Sequence, residues 1–263
     1  MPKKLIIKIT GGLGNQMFQY AYGRAKSLKN HLQLYYFFVH DKGDTNREYS
    51  LNIFKIKGNK INNFFPNWLT KISEGLHIRI PGIEHGYWQS ERYFGSYEKQ
   101  IRSDFRFIES LDKKNKNILN VINKSNSVSI HARRGDYELN KKIKEYHGLL
   151  SVAYYKKAIE IINKIIINPT YFVFSDDPEW VKNSLKINNA TYIDWNKGLR
   201  SHIDMQLMSN CKHNIIANSS FSWWGAWLNN NPNKIVVAPK KWFKNSKAQK
   251  GSEDLIPKTW KII

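Results

Sequence analysis

At 263 residues the chain can bury a substantial core, as one large domain or two small ones. Aromatic residues make up 14% of it, nine of them Trp, which excludes a disordered chain. The net charge of +21 rests on 33 Lys against 9 Arg, scattered along the sequence beside abundant Asn and Ile, so it reads as compositional drift and only weakly favours nucleic acid, an anionic membrane or an acidic substrate.

Leu5 to Ile9 has the character of a buried strand, and Thr10-Gly11-Gly12-Leu13-Gly14-Asn15-Gln16 follows at once. From Met17 to Lys29, Phe18, Ala21, Tyr22, Ala25 and Leu28 recur at helical spacing. A strand, glycine turn and helix bring backbone close to a ligand at a helix N-terminus. The turn lacks the Gly-Lys-Ser/Thr ending of a Walker loop and the spacing of the dinucleotide fingerprint. A tight turn needing positive φ at glycine accounts for the segment equally well, while Asn15 and Gln16 set amides at its mouth. Leu34 to Val39 is a second, aromatic strand. Asp41 to Gly82 is polar and reads as loops and short helices anchored by Phe54, Phe64, Phe65 and Trp68. Glu84 to Phe94 mixes aromatic, polar and glycine residues, which suits sugar stacking and core packing alike. Lys113 to Asn126 carries few apolar residues and is the expected junction, dividing the chain into lobes 1–125 and 126–240. The tail 241–263 is expected to pack back on the first lobe.

Val128, Ile130 and Ala132 alternate as a strand that runs into His131, Arg133, Arg134, Gly135, Asp136 and Tyr137. Arginine keeps its charge and offers a planar fork that matches phosphate or carboxylate. An anionic ligand, a phosphate ester, is one reading of this segment, a surface turn with a local ion pair is a second, and an Arg-Gly-Asp adhesion loop is a weaker third, since nothing else in the chain looks extracellular. Beyond it strands and helices alternate: helix over Tyr154–Ile167, strand over Tyr171–Ser175, helix over Glu179–Leu185, strand over Thr191–Ile193, helix over Arg200–Ser209, strand over Asn214–Ala217, helix over Phe221–Leu228 and strand over Lys234–Pro239. That order means βαβ units and a parallel sheet.

Arg133, Arg134, Asp176, Asp177, Asn218, Ser219 and Ser220 all fall just past the carboxyl ends of predicted strands, where open α/β sheets hold ligands. Each Asp, Asn or Ser taken singly also suits a helix N-cap. No other carboxylate or His cluster accompanies Asp176 and Asp177 at ligand spacing, so no metal is expected. Cys211 is the single cysteine, which rules out an intrachain disulfide and a Cys-based zinc site. No segment has enough uninterrupted apolar residues to cross a bilayer, so a cytoplasmic protein is expected, with basic patches able to touch the inner face of an anionic membrane. A nucleic-acid-binding protein would show Arg and Lys clustered on one face and a known module, and neither is visible.

Three segments together resemble the α-1,2-fucosyltransferase family, glycosyltransferase family 11. They are Gly11 to Ala21, the His131-Ala132-Arg133-Arg134-Gly135-Asp136-Tyr137 strand end, and Asn218 to Leu228, with Phe174-Ser175-Asp176-Asp177 as a fourth. They span nearly the whole chain in the family's order. The resemblance implies an α/β fold of the GT-B kind, two Rossmann-like lobes with the donor site on the C-terminal lobe. It implies GDP-β-L-fucose as donor, transfer with inversion to the 2-hydroxyl of a galactose-terminated oligosaccharide or polysaccharide, and no metal or other cofactor. Arg133 would grip the diphosphate, with Asp136 beside it holding Arg134 or the fucose. His131 and Arg134 would orient the site; Asp176 or Asp177 would read the guanine edge or ribose. Asn218, Ser219, Ser220 and Phe221 would line the donor, the serines cradling phosphate. Asn15, within the Gly12, Gly14 and Gln16 loop, would close over the diphosphate or meet the acceptor. Trp223 and Trp224, adjacent on one helix, are read as packing. Candidates for the base that inversion requires are Glu138, Asp136, Glu91 and His85, and the sequence does not choose among them.

Overall fold

The computed structural model describes residues 3–40, 47–62 and 82–263, with the backbone alone for Asp136 and Leu139. The chain divides into two compact units, Met1–Glu109 and Ser110–Ile263.

The first unit is built on a parallel sheet of β1 (Lys4–Ile9), β2 (Gln33–Phe38), β3 (Asn59–Lys60) and β4 (Ile83–Glu84), in the order β3-β2-β1-β4. Leu5, Ile7 and Ile9 alternate inward, as the sequence pattern requires. Helix α1 spans Leu13–Lys29 and so begins four residues before the apolar stripe; Gly14 and Gln16 of its first turn are buried without being apolar, so hydropathy does not show them. It lies so close to β1 that a Cβ on Gly23 would fall 2.5 Å from Ile7 Cγ1. Tyr20 Oη and Arg24 Nε both donate to Asp104 Oδ2, at 2.7 and 2.9 Å, which ties α1 to α2 (Glu98–Asp104). Of the anchors expected between Asp41 and Gly82, Phe54 is buried against Phe105 and Phe107. Phe64, Phe65 and Trp68 lie outside the described residues.

The second unit holds a six-stranded parallel sheet. It contains β5 (Asn126–Ala132), β6 (Pro169–Ser175), β7 (Ala190–Ile193), β8 (His213–Ile215), β9 (Val236–Ala238) and β10 (Lys261–Ile262), in the order β10-β9-β8-β5-β6-β7. The chain winds outward from β5 through β6 to β7, then crosses to the other side and winds outward again. Strand order therefore reverses between β5 and β8, the place where open α/β sheets as a class hold their ligands, at the carboxyl ends. One face of β5 presents Val128, Ile130 and Ala132 to Tyr154, Tyr155, Ala158 and Ile162 of the helix Val152–Ile165. Burying a residue such as Ile130 contributes about 1.5–3 kcal/mol. The other face is polar and still buried: Lys212 N donates to Ser127 Oγ at 3.0 Å and Asn214 Nδ2 to Ser129 Oγ at 2.7 Å. Trp223 and Trp224 are fully buried, in agreement with the packing role.

The boundary between units falls at Glu109/Ser110, and the stretch expected to be the junction is a helix, Lys113–Lys124, capped by Asp112, whose Oδ1 accepts from Asn115 N at 2.9 Å. Two buried positions seven apart, Asn115 and Ile122, dock it on the second unit. Asn115 hides from a hydropathy reading because its burial depends on a remote partner, Asn196, with which it exchanges side-chain amide bonds at 3.0 Å. The tail 241–263 adds β10 to the second sheet and sets Trp260 against Trp223, at 5.4 Å between ring centroids.

Asn196 also donates to Asp204 Oδ1 at 2.8 Å, and burial pushes that carboxyl up to about 7. The folded chain then holds a proton that the unfolded chain has released, so stability falls as pH rises from the ordinary carboxyl range through about 7. Asp204→Asn should gain thermal midpoint over the parent progressively between about pH 4 and about pH 7 and level off above it. A difference between the two proteins that stays constant across that window would contradict this assignment.

Candidate functional site

The sheet of the second unit brings the strand-end residues together at its carboxyl edge. β5 and β6 pair with Ala132 opposite Ser175, so Arg133 and Arg134 emerge beside Asp176 and Asp177. Asp176 Oδ2 lies 3.1 Å from Arg133 Nη1, and its Oδ1 accepts from the backbone N–H of Arg134 at 2.8 Å. Asp177 caps the helix Pro178–Leu185, its Oδ1 accepting from Trp180 N at 3.1 Å, and its Oδ2 accepts from Arg134 Nε at 3.3 Å. All four carboxylate oxygens are thus engaged within the protein. Where the resemblance would have Asp176 or Asp177 read guanine or ribose, the geometry uses them to aim two guanidiniums. Gly135 opens the helix Gly135–Leu139 against the Asp176 carboxylate: a Cβ there would sit 2.8 Å from Asp176 Oδ2 and would have to displace it.

The two arginines have different surroundings. Arg134 lies with its guanidinium 3.9 Å from the centroid of the Trp180 ring, while its Nη2 reaches Glu138 Oε2 at 3.3 Å. Lys144 Nζ holds the other oxygen of Glu138 at 2.7 Å. That contact with Lys144, with the Arg134 charge adding to it, keeps Glu138 below the usual carboxylate range, which makes it a poor proton acceptor. Arg133 stands 5.6 Å from the ring centroid of Tyr137.

On the β8 side of the strand-order reversal, His131 is buried 5.6 Å from Phe221, centroid to centroid. Burial pushes its imidazole down to about 4, with Asp176 pulling the other way and Arg133 adding to the fall, so it is neutral at neutral pH and acts as a dipole. Its Nδ1 meets no hydrogen-bond partner among the described residues, nor does the buried Oδ1 of Asn218. Asn218 Nδ2 instead donates to the carbonyls of His147, Gly148 and Trp242 at 3.1, 3.3 and 3.1 Å, tying two loops to the end of β8. Ser219 precedes the helix Ser220–Leu228 without a side-chain cap bond. The first N–H groups of a helix lack intrahelical partners and face outward at its start, where they suit an anion. Asp136 lies within the helix Gly135–Leu139.

In the first unit the glycine turn is what its sequence suggests only in part. Gly11 adopts φ 75°, the left-handed conformation that favours glycine. Gln16 is fully buried and spent: its Nε2 donates to the carbonyls of Gly11 and Glu48, each at 2.7 Å, and its Oε1 accepts from Ser50 N at 2.9 Å. It is a clamp on the turn rather than a group at its mouth. A Cβ on Gly12 would lie 3.2 Å from Arg47 Nη1, and Gly14 is buried in the first turn of α1. Asn15 is half-buried and accepts from Gln89 Nε2 at 2.8 Å. His85 is exposed after β4, and Glu91 is half-buried in the turn Glu91–Tyr93. Among the described residues no group of three or more His, Cys, Asp or Glu side chains is placed to hold a metal, and no helix is long and apolar enough to cross a membrane.

Sequence reasoning passed over Trp180. A signal for it exists: Asp177-Pro178 is a helix start, and side chains in a first turn lean back toward the N-terminus, here toward the strand end.

The family model for glycosyl transferase family 11 matches residues 2–263. An α-1,2-colitosyltransferase of Escherichia coli is 36% identical, with 97% of each chain covered. The O-antigen biosynthesis glycosyltransferase WbnK of Escherichia coli is 34% identical over 94% of this chain and 97% of its own. More distant is the galactoside α-(1,2)-fucosyltransferase 1 of Sus scrofa, 25% identical over 62% of this chain and 47% of that one. Among solved structures, the NodZ α-1,6-fucosyltransferase soaked with GDP-fucose shares the fold, at a TM-score of 0.50 and 14% identity over 86% of this chain and 93% of that one. The fold is the two-lobed GT-B type.

Proposed function

This chain belongs to glycosyl transferase family 11, and on that premise we propose that it moves L-fucose from GDP-β-L-fucose to the 2-hydroxyl of a terminal galactose-type residue, forming an α-1,2 linkage with inversion. The observation that carries the reading is Arg133, held by Asp176 at the point where strand order reverses. As the acceptor oxygen bonds to the anomeric carbon, the bond from that carbon to the β-phosphate oxygen breaks and its electron pair stays on the diphosphate. Arg133 offsets that charge, an electrostatic role that typically contributes about 10²–10³ in turnover per donor. The first turn of Ser220–Leu228 supplies backbone N–H groups to the same phosphates. A fixed guanidinium provides the charge a divalent ion would otherwise bring, so transfer is proposed to be metal-independent. His131, neutral and buried, contributes a dipole rather than a charge. Glu138 is committed to Lys144 and Arg134, which leaves Asp136, Glu91 and His85 as the candidates for the base.

A second reading changes the donor sugar to colitose, which is fucose without its 3-hydroxyl. It is favoured by the 36% identity to a colitosyltransferase over 97% of both chains. Titration of the protein with GDP, GDP-fucose, GDP-colitose and UDP-galactose in EDTA, followed by turnover on a β-galactoside and linkage analysis of the product, separates the readings. Binding of GDP and GDP-fucose, no binding of the uridine nucleotide, and an α-1,2-fucosyl product are expected. Faster turnover of GDP-colitose moves the assignment to the second reading, and an α-1,3 or α-1,6 product overturns the acceptor position.

A further inference from the structure

Two guanidiniums leave the end of β5, and the protein treats them differently. Arg134 is enclosed: carboxylates from Asp177 and Glu138 take its edge, and the Trp180 ring lies under its face at 3.9 Å. Glu138 is itself fixed by Lys144 at 2.7 Å. The backbone N–H of Arg134 donates to the same Asp176 carboxylate that receives Arg133 Nη1, so the place of Arg134 sets the place of the group that aims Arg133. The backbone N–H of Trp180 donates to Asp177 Oδ1 at 3.1 Å, which places the residue in the first turn of its helix, and its ring packs edge-on against Tyr155 at 6.4 Å between centroids.

We propose that Trp180 is a positioning residue of the donor site: its indole face holds the Arg134 guanidinium and, through Arg134 and Asp176, presents Arg133 to the diphosphate. The inference rests on the GDP-sugar reading above. Ion pairs at a half-exposed edge constrain a guanidinium only weakly, since water competes for both partners. Stacking on an aromatic face fixes the plane and is less readily displaced by water. Arg134 accordingly serves as an anchor of the turn, and the phosphate contact falls to Arg133.

The test is a double-mutant cycle on Trp180→Leu and Arg134→Met, with Trp180→Phe as the conservative variant, measured by GDP affinity, turnover and thermal midpoint. Leucine keeps an apolar group against Tyr155 and removes the π face. Trp180→Leu should weaken GDP binding and lower kcat/KM for the donor about tenfold, with the acceptor KM unchanged, and Trp180→Phe should stay within about threefold of the parent. In the Arg134→Met background, Trp180→Leu should cost nothing further. A structural role alone predicts the same loss in both backgrounds, and that result, or a Trp180→Leu protein that binds GDP as the parent does, overturns the proposal by itself. A parent protein that does not bind GDP overturns the donor reading and this proposal together.

Discussion

Arg133→Ala lowers kcat by about 10²–10³-fold with the fold retained, the loss expected when one preorganised donor to a developing charge is removed. The side chain stands one residue past β5, part-exposed, with Asp176 Oδ2 3.1 Å from its Nη1 and the ring centroid of Tyr137 5.6 Å away. Thermal midpoint should therefore hold within a few degrees, since surface substitutions away from buried networks usually change stability by about 0.5 kcal/mol or less. Steady-state kinetics with GDP-fucose, together with a melting curve, check both halves. Arg133→Lys restores charge without the planar fork and should recover only part of the rate. Parent-like turnover in Arg133→Ala removes the residue from the mechanism.

Gly135→Ala is expected to cost about ten- to a hundredfold in kcat, although it adds only a methyl group. The new Cβ would stand 2.8 Å from Asp176 Oδ2, inside the distance real Cβ atoms keep, so the carboxylate must move. Asp176 is exposed and its side chain can swing aside, which spares the fold. The swing breaks its contacts to Arg133 Nη1 and to the Arg134 N–H at once, and misplacement of about 1 Å at a reacting site costs up to about a hundredfold. A double variant Gly135→Ala with Asp176→Ala should be no slower than Asp176→Ala alone, because the clash then has nothing to displace. A Gly135→Ala protein with parent kinetics, or one that unfolds, would contradict the account.

These two residues and Trp180 differ in how far the chain itself announces them. Arg133 stands out because a guanidinium directly after an alternating apolar run needs no partner to be noticed. Gly135 is visible as part of a motif, but its reason is a carboxylate from another strand, 41 positions on. Trp180 reads as one more core aromatic until β5 and β6 are laid side by side in register.

The alternation of strands and helices from Tyr154 to Ala238, the parallel sheet and the gathering of polar residues at strand ends followed from the sequence by itself, because periodicity and turn chemistry are local properties; the short helices Gly135–Leu139, Lys141–His147 and Ser246–Lys250 and the last strand β10 did not. Tertiary structure alone decided how those polar groups are spent. It bonded Arg134 to Asp176 and Asp177 across separations of 42 and 43 residues, buried Gln16 as a clamp on its own turn, and joined Asn115 to Asn196 across 81 residues. The same tertiary contacts drew the helix Lys113–Lys124 and the tail into the second unit. The physical reason is that a polar side chain has several possible partners of equal chemistry, and only strand order and register bring one of them within about 3 Å.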